Sequence, residues 1–233
     1  MTVHLASAGH HVRALTRRAM APQAAVTWVA GSLEDSRALD VLCQGADALI
    51  HGAALIKARR AADFLAVNAG GTRTVLAAAQ RAGTRRVVLL SSLAARLPGL
   101  SAYAASKKAA EDVLAQAFAS AFDWTILRIP AVYGPGDRET LKLFQMLRWR
   151  LALVPGRDAR ASVIHVADLC AALTACLDAP LTHGHVLDIG DGKATGHRLA
   201  DLYRAAGALM DVRPLVLAVP RAVLVAAGGL NRG

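Results

Sequence analysis

Tyr103 and Lys107 are the residues whose types and spacing best suit proton transfer, in the stretch SAYAASKKAAEDVL at 101–114. Positions i and i+4 of a helix lie on one face, so the two side chains would project together. A lysine cation beside a phenol favours the phenolate, which is the tuning that acid–base catalysis near neutral pH needs. Ser92, upstream of this helix, could hydrogen-bond the same substrate oxygen. The spacing also arises by chance in many helices, so the surrounding elements decide between the two interpretations.

Short apolar runs alternate with alanine-rich helical stretches before and after these residues. This alternation is typical of a parallel sheet covered by helices on both faces, so we predict a doubly wound α/β fold. The predicted strands cover residues 10–17, 25–31, 46–54, 85–92 and 123–130, and the predicted helices cover 36–45, 64–83 and 101–120.

The carboxyl ends of the predicted strands indicate where a ligand would bind, because open parallel sheets bind ligands at that edge. Beyond residues 130–137 the pattern changes to turn residues and a basic helix over 139–150, which predicts a smaller second lobe. The strand-end residues are Arg17, Gly31, Gly52 to Ala54, Ser91, Ser92 and Ile129 to Val132.

The net charge of +10 does not by itself indicate a nucleic-acid partner. The arginines are scattered, and no basic run is interleaved with aromatic residues as groove-binding or single-strand-binding proteins require. An anionic small ligand such as a dinucleotide accounts for part of the charge, and we expect no nucleic-acid partner. Binding to an anionic membrane or to nucleic acid remains a rival that would show salt-sensitive affinity.

The three cysteines lack CxxC spacing, so neither a disulfide framework nor a zinc site is predicted. His183 and His185 have no carboxylate or cysteine near them in sequence, and we expect no metal. The simplest location is the reducing cytoplasm, since no signal peptide is evident. The apolar stretch 214–230 is interrupted by Pro220 and Arg221, which favours a docked terminal helix over a membrane span.

Taken together, eight short segments resemble the extended short-chain dehydrogenase/reductases, the NAD-dependent epimerase/dehydratase family. Each segment is weakly specific, but their order is highly specific. They are VRALTR, GSLED, ADALIHGAAL, VNAGGTRTVL, RVVLLSSLAA, YAASK, WTILRIPAVYGPGD and SVIHVADL, between residue 10 and about residue 170.

The resemblance implies a Rossmann-type cofactor domain and an enzyme that passes hydride between a nicotinamide and a carbon bearing a hydroxyl or carbonyl group. Tyr103 would be the general acid/base, Lys107 would lower its pKa and hold the nicotinamide ribose, and Ser92 would orient the substrate oxygen. The residues expected to line the cofactor are Ser32, Leu33, Gly52, Ala53, Ala54, Asn68, Ile129, Pro130 and Val132, together with Tyr103 and Lys107.

Arg17 and Arg18 follow the strand at which the family usually places a carboxylate on the ribose 2′-hydroxyl of NAD. Because cations suit a 2′-phosphate, NADP is mildly favoured over NAD as the cofactor. The alternative is two solvated arginines at a strand end.

The family's first strand and glycine-rich phosphate loop would precede HLASAGHHV, where only Met1 to Val3 stand. We therefore expect an N-terminally incomplete Rossmann-type domain over 1–135, to which residues 160–190 partly return. A substrate lobe, itself incomplete, would cover 136–233. The partner would be a small-molecule substrate, and a homodimer is compatible with the resemblance. The rival is a catalytically silent member, or an inactive shortened product.

Overall fold

A computed structural model describes residues 1–219, apart from the side chains of residues 138 and 139. The chain forms two compact units. The first comprises Met1–Ile129 and Asp168–Ile189, and the second comprises Pro130–Ala167 and the chain from Gly190 onward. The predicted cofactor role of the first unit and substrate role of the second stay predictions.

Helices and strands alternate along the first unit as the hydrophobic pattern predicts. Two π-helical turns, Ala66–Gly70 and Val113–Ala117, lie next to α-helices. The α-helices of the described chain are α1 (Thr2–Ser7), α2 (Ser36–Cys43), α3 (Ala61–Leu65), α4 (Gly71–Arg81), α5 (Ala102–Asp112), α6 (Arg138–Leu147), α7 (Val166–Leu177) and α8 (Leu199–Leu209).

The strands of both units are mostly short. They are β1 (Val12–Thr16), β2 (Val26–Ala30), β3 (Ala48–His51), β4 (Arg86–Ser92), β5 (Asp123–Ile129), β6 (Ala131–Tyr133), β7 (Leu151–Val154), β8 (Arg160–Ala161), β9 (Val163–His165), β10 (His185–Asp188), β11 (His197–Arg198) and β12 (Leu215–Ala218).

The first unit contains two separate parallel sheets. The larger has the order β10–β5–β4–β3, and its register sets Ser91 beside Arg128 and Ser92 beside Ile129. The smaller consists of β1 and β2. Within the described residues β1, β2, β3 and β10 each have a single strand neighbour, so both sheets have unpaired edges.

β4 and β5 form the packed centre of the first unit. Both carry continuous runs of mostly apolar residues, which suit strands buried on both faces of a parallel sheet. Val87, Val88 and Ile126 are fully buried there. Helices α2 and α4 pack over the same core through Leu39 and Leu76. The positions of the catalytic candidates are therefore set by the most buried strands of the molecule.

The described part of the second unit is built from pairs of short strands and the helices α6 and α8. β6 pairs with β9 and β7 with β12, both parallel, and β8 pairs antiparallel with β11. The prediction of a terminal helix over 214–230 is wrong where it can be compared, because Leu215–Ala218 pairs with β7 as a strand. Residues 220–230 of that prediction lie outside the described residues.

The order of the elements and the parallel pairing confirm the predicted α/β fold class. Between residues 1 and 219, no helix combines the length and the apolar character needed to cross a bilayer.

Candidate functional site

Helix α5 carries Tyr103 and Lys107 one turn apart. The helix begins after Ser101, whose hydroxyl accepts a hydrogen bond from the Ala104 amide at 3.0 Å as an N-cap. Tyr103 is part-buried, and its ring makes an edge-to-face contact with Phe64 at a centroid distance of 6.2 Å. The phenol is therefore oriented by packing at the start of the helix.

Lys107 is almost fully buried and is anchored to the sheet. Its Nζ donates to the Leu90 carbonyl at 2.7 Å, two residues before Ser92 on β4. Burial lowers the pKa of Lys107 to about 8, and the nearby Glu111 carboxylate opposes that shift. The ammonium is thus held in a poorly solvated place near the end of β4, where its charge acts strongly on neighbours.

Glu111, one turn beyond Lys107, ties α5 to both central strands. Its carboxylate accepts two hydrogen bonds from Arg128, Nε to Oε1 at 2.8 Å and a terminal nitrogen to Oε2 at 2.7 Å. The buried Ser91 hydroxyl donates to Oε1 at 2.5 Å. The Glu111 side chain is only 3% exposed, and the bidentate pair raises the pKa of Arg128. Ser91, Glu111 and Arg128, called the Glu111 cluster below, fix α5 on β4 and β5.

The Glu111 cluster also distinguishes the two adjacent serines. Ser91 is buried and committed to Glu111, whereas Ser92 is part-buried and its hydroxyl accepts from the Ala94 amide at 3.2 Å. The Ser92 hydroxyl proton remains available to an incoming oxygen. The Ser91 proton is thus committed to Glu111 and the Ser92 proton is not, and the catalytic role of Ser92 stays a prediction.

Asn68 lies in the first π-helical turn with its amide group fully used by the protein. Oδ1 accepts from the Leu55 amide at 2.6 Å, and Nδ2 donates to the Leu55 carbonyl at 3.0 Å and to Ser106 Oγ at 2.8 Å. Asn68 therefore joins the loop after β3 to α5. Any part that it plays in cofactor binding would pass through this loop.

His51 ends β3 and is buried beside this loop. Thr72 donates its hydroxyl proton to the Asn68 carbonyl at 2.5 Å, so His51 Nε2, 3.0 Å away, is the donor to Thr72. Burial and then the Lys107 cation lower the pKa of His51 to about 4. The ring is neutral at physiological pH.

The loop Gly52–Ala54 continues from His51 at the carboxyl end of β3. Gly52 and Ala53 are exposed, and a Cβ built on Gly52 would meet nothing nearer than the Leu90 side chain at 3.5 Å. The backbone here is open to a ligand approaching the edge of the sheet.

A cavity of about 550 Å³ lies at the carboxyl ends of β1 and β2. It brings together Arg17, Arg18 and Ser32, three of the residues predicted to contact cofactor. Asp35 also lines it, with a carboxylate that accepts from the Ala38 amide at 3.1 Å and caps α2. The cavity is rich in cations and suits an anionic ligand.

Leu33 and three later candidates lie elsewhere. The Leu33 side chain packs against Gly71 and the core, and it does not line the cavity. Ile129 ends β5 beside Ser92. Pro130 and Val132 belong to the second unit.

Sequence reasoning missed Glu111 and Arg128. The signal for Glu111 was present, since it continues the four-residue spacing of Tyr103 and Lys107 on a helix face that must pack on the sheet. Arg128 gave no comparable signal, because its partner is set by strand register and not by local spacing. In the part of the chain described, no three His, Cys, Asp or Glu residues are grouped as a metal ion requires.

The family model described as "NAD dependent epimerase/dehydratase family" matches residues 1–190. The chain belongs to this family, which confirms the resemblance inferred from its motifs.

Two curated relatives are reductases by name. Ceramide reductase of Caulobacter vibrioides is 42% identical over 203 residues, covering 87% of this chain and 62% of that protein. A 4-hydroxy-2-methyl-3-oxo-4-farnesyl-3,4-dihydroquinoline-1-oxide ketoreductase of Stigmatella aurantiaca is 32% identical over 189 residues, covering 71% and 57%. This chain therefore spans about three fifths of the length of these relatives.

Among solved structures, MoeE5 in complex with UDP-glucose and NAD is 25% identical, with a TM-score of 0.79 over 94% of this chain and 80% of that one. The match shows the Rossmann-like architecture of the family in the present fold.

Proposed function

We propose that this chain carries the catalytic centre of an NAD(P)-dependent reductase that converts a ketone of an apolar small molecule into an alcohol. The observation that carries the proposal is buried Lys107, anchored at the end of β4 and one helical turn from Tyr103. The names of the two curated relatives favour carbonyl reduction over the other reactions of the family.

The residues present fit a dinucleotide at its two ends. The cavity with Arg17 and Arg18 would take the adenosine end, and the cations favour a 2′-phosphate there. The open backbone at Gly52 to Ala54 and the anchored Lys107 would border the nicotinamide end. When bound, NAD(P)H supplies the hydride that reduces the carbonyl carbon.

The side chains then divide the proton chemistry between them. Tyr103 would give its phenolic proton to the substrate oxygen as the alcohol forms, and Lys107 would stabilise the phenolate left behind. Ser92 would donate a hydrogen bond to the same oxygen and hold it beside Tyr103. The Glu111 cluster would hold α5 at the position along β4 and β5 that places Tyr103 and Lys107 beside Ser92.

A second candidate is epimerase or dehydratase chemistry on a sugar nucleotide, which the UDP-glucose bound to MoeE5 favours. The two curated relatives described above are both reductases by name, which favours the first candidate over this one. A silent family member remains the non-enzymatic alternative.

Two separate substrate assays distinguish these functions. In one assay the chain is incubated with NADPH or NADH and a ceramide-type long-chain ketone, and loss of reduced nicotinamide and formation of the alcohol are followed. In the other it is incubated with NAD+ or NADP+ and UDP-glucose, because epimerisation and dehydration begin with oxidation of the sugar, and formation of an altered sugar nucleotide is followed. We expect alcohol formation from the ketone and no change of the sugar nucleotide. Conversion of UDP-glucose alone would replace the proposal with the second candidate, and no conversion of either by a folded, cofactor-bound chain would favour the silent member.

A further inference from the structure

The β7–β12 pair of the second unit carries leucines on one face. In register, Leu151 lies beside Leu215 and Leu153 lies beside Leu217. Partners in register share a face of a sheet, and successive residues alternate between faces. These four residues, called the leucine face below, therefore point in the same direction.

The two faces of this pair differ in exposure most clearly on β7, whereas on β12 Val216 is part-buried and Ala218 is exposed. Ala152 and Val154, which alternate with the leucines, are 0% and 2% exposed and form the buried side. On the leucine face, Leu215 is 62% exposed and Leu217 is 43% exposed. A contiguous exposed apolar patch of this kind marks an interaction surface more often than a free surface.

Aromatic and cationic residues lie where both strands begin. Trp149, 85% exposed, stands two residues before Leu151. Arg150 adopts a left-handed backbone (φ 54°), and its carbonyl accepts from the Leu215 amide at 2.8 Å, which fixes this turn beside β12. Arg213 is exposed and precedes Leu215 by two residues, after the exposed Asp211. Neither arginine forms an ion pair within the described residues.

We propose that the leucine face is a peripheral docking surface for an anionic lipid bilayer. The leucines would enter the boundary between headgroups and acyl chains, with Trp149 at the headgroup level. Arg150 and Arg213 would contact lipid phosphates, and the excess of basic charge on the chain would draw it to the membrane. No membrane-spanning helix is involved.

The arrangement of charge favours a bilayer over a second copy of the chain. A symmetric contact with the strands of the two copies parallel would bring their arginines together, and like charges oppose it. With the strands antiparallel, the arginines would lie at the far ends of the partner strands. Lipid phosphates complement the arginines in either case. The inference does not rest on the proposed reductase chemistry, so vesicle binding and turnover can fail separately.

Sedimentation with vesicles tests the proposal on the full chain. We expect retention on phosphatidylcholine vesicles containing one third phosphatidylglycerol, little retention on phosphatidylcholine alone, and release at about 0.5 M NaCl. Arg150→Gln with Arg213→Gln should weaken retention about thirtyfold. Arg59→Gln with Arg73→Gln, the same change of net charge in the first unit, is the control and should have a small effect.

Two further readouts locate the contact. Leu215→Ser should reduce retention about tenfold, whereas Leu181→Ser, at an even more exposed leucine (94%), should not. Brominated lipid should quench tryptophan emission in the native chain and much less in Trp149→Phe, because Trp124 is buried and Trp28 is a part-buried residue of β2 in the first unit.

Three results would overturn the proposal. One is no retention on anionic vesicles, and a second is retention without quenching of Trp149. The third is self-association that Leu215→Ser abolishes, which would make a second copy the occupant of the leucine face.

Discussion

The α5–β4–β5 region and the β1–β2 region of the first unit are held in different ways. Six of the seven residues of β4 are buried, and α5 is fastened to the strands by Lys107 and by the Glu111 cluster. All five residues of β1 are part-exposed, and the arginines that follow it are exposed. A strand with two neighbours and helices on both faces is buried, and a strand with one neighbour is not. The candidate proton-transfer groups are thus firmly held, whereas the proposed adenosine site lies beside part-exposed strands.

The largest effect is expected from a substitution in the α5–β4–β5 region. Tyr103→Phe removes the phenolic proton donor while keeping the ring that contacts Phe64. We expect turnover of a ketone substrate to fall about a thousandfold with cofactor affinity nearly unchanged, as measured by initial rates and calorimetry. Retention of most of the activity would remove Tyr103 from the catalytic role. Tyr133→Phe, in the second unit, is the matched control.

Glu111→Gln tests whether the Glu111 cluster holds the catalytic helix. Losing the charge leaves Arg128 poorly compensated, and urea unfolding should show a loss of about 3 kcal/mol. Because the Glu111 carboxylate opposes the burial effect on Lys107, its removal should lower the pKa of Lys107 further below 8. In a plot of log kcat/KM against pH, the decrease on the alkaline side should then begin at a lower pH.

Asp112→Asn is the control on the same helix, since its ion pair with Lys108 is more than one third exposed. It should change stability by less than about 1 kcal/mol and leave the alkaline limb in place. Equal effects of the two substitutions would show that the Glu111 cluster has no special role.

His51→Gln tests how the burial of His51 at the end of β3 affects stability as the pH changes. Native His51 has a pKa of about 4 against an ordinary 6.5, so the unfolded chain binds more protons between these values. The stability that neutral His51 provides is therefore complete above pH 6.5 and is lost as pH falls toward 4. Between pH 7 and 5 the native chain should lose about 2 kcal/mol more than His51→Gln does. Urea midpoints at both pH values measure this, and exposed His11→Gln should behave as the native chain.

The smallest effect is expected from substitutions in the β1–β2 region. Arg17→Gln with Arg18→Gln should weaken NADPH binding about tenfold and leave NADH binding nearly unchanged, because only NADPH carries the 2′-phosphate. Arg73→Gln, an exposed arginine on α4, should change neither affinity. Equal losses for both cofactors would mean that the arginines do not read the 2′-phosphate.

Much of the first unit follows from local sequence. The alternation of short apolar runs with alanine-rich stretches predicted its strands and helices, and the four-residue spacing placed Tyr103 and Lys107 on one face of α5. The family was confirmed from the same segments. The roles assigned to Ser92, Tyr103 and Lys107, the preference for NADP, the cytoplasmic location and the homodimer stay predictions.

The remaining features depend on contacts between distant parts of the chain. Arg128 meets Glu111 only because β5 lies beside β4 in a particular register. Leu33 follows a strand end like its neighbour Ser32, yet the close approach of Gly71 turns it toward the core. The strand at Leu215 was misread because an apolar run flanked by prolines suits either a helix or a strand, and pairing with β7 decides between them.

The central claim is that the described residues hold a dinucleotide beside Tyr103 and Lys107. Calorimetric titration of the 233-residue chain with NADPH and with NADH tests it most directly, with Tyr103→Phe in parallel and circular dichroism as the check of folding. We predict saturable binding in the micromolar range, tighter for NADPH and little changed in Tyr103→Phe. No binding of either dinucleotide by a cooperatively folded chain would contradict the claim, and α5 would then be a catalytic helix without a cofactor.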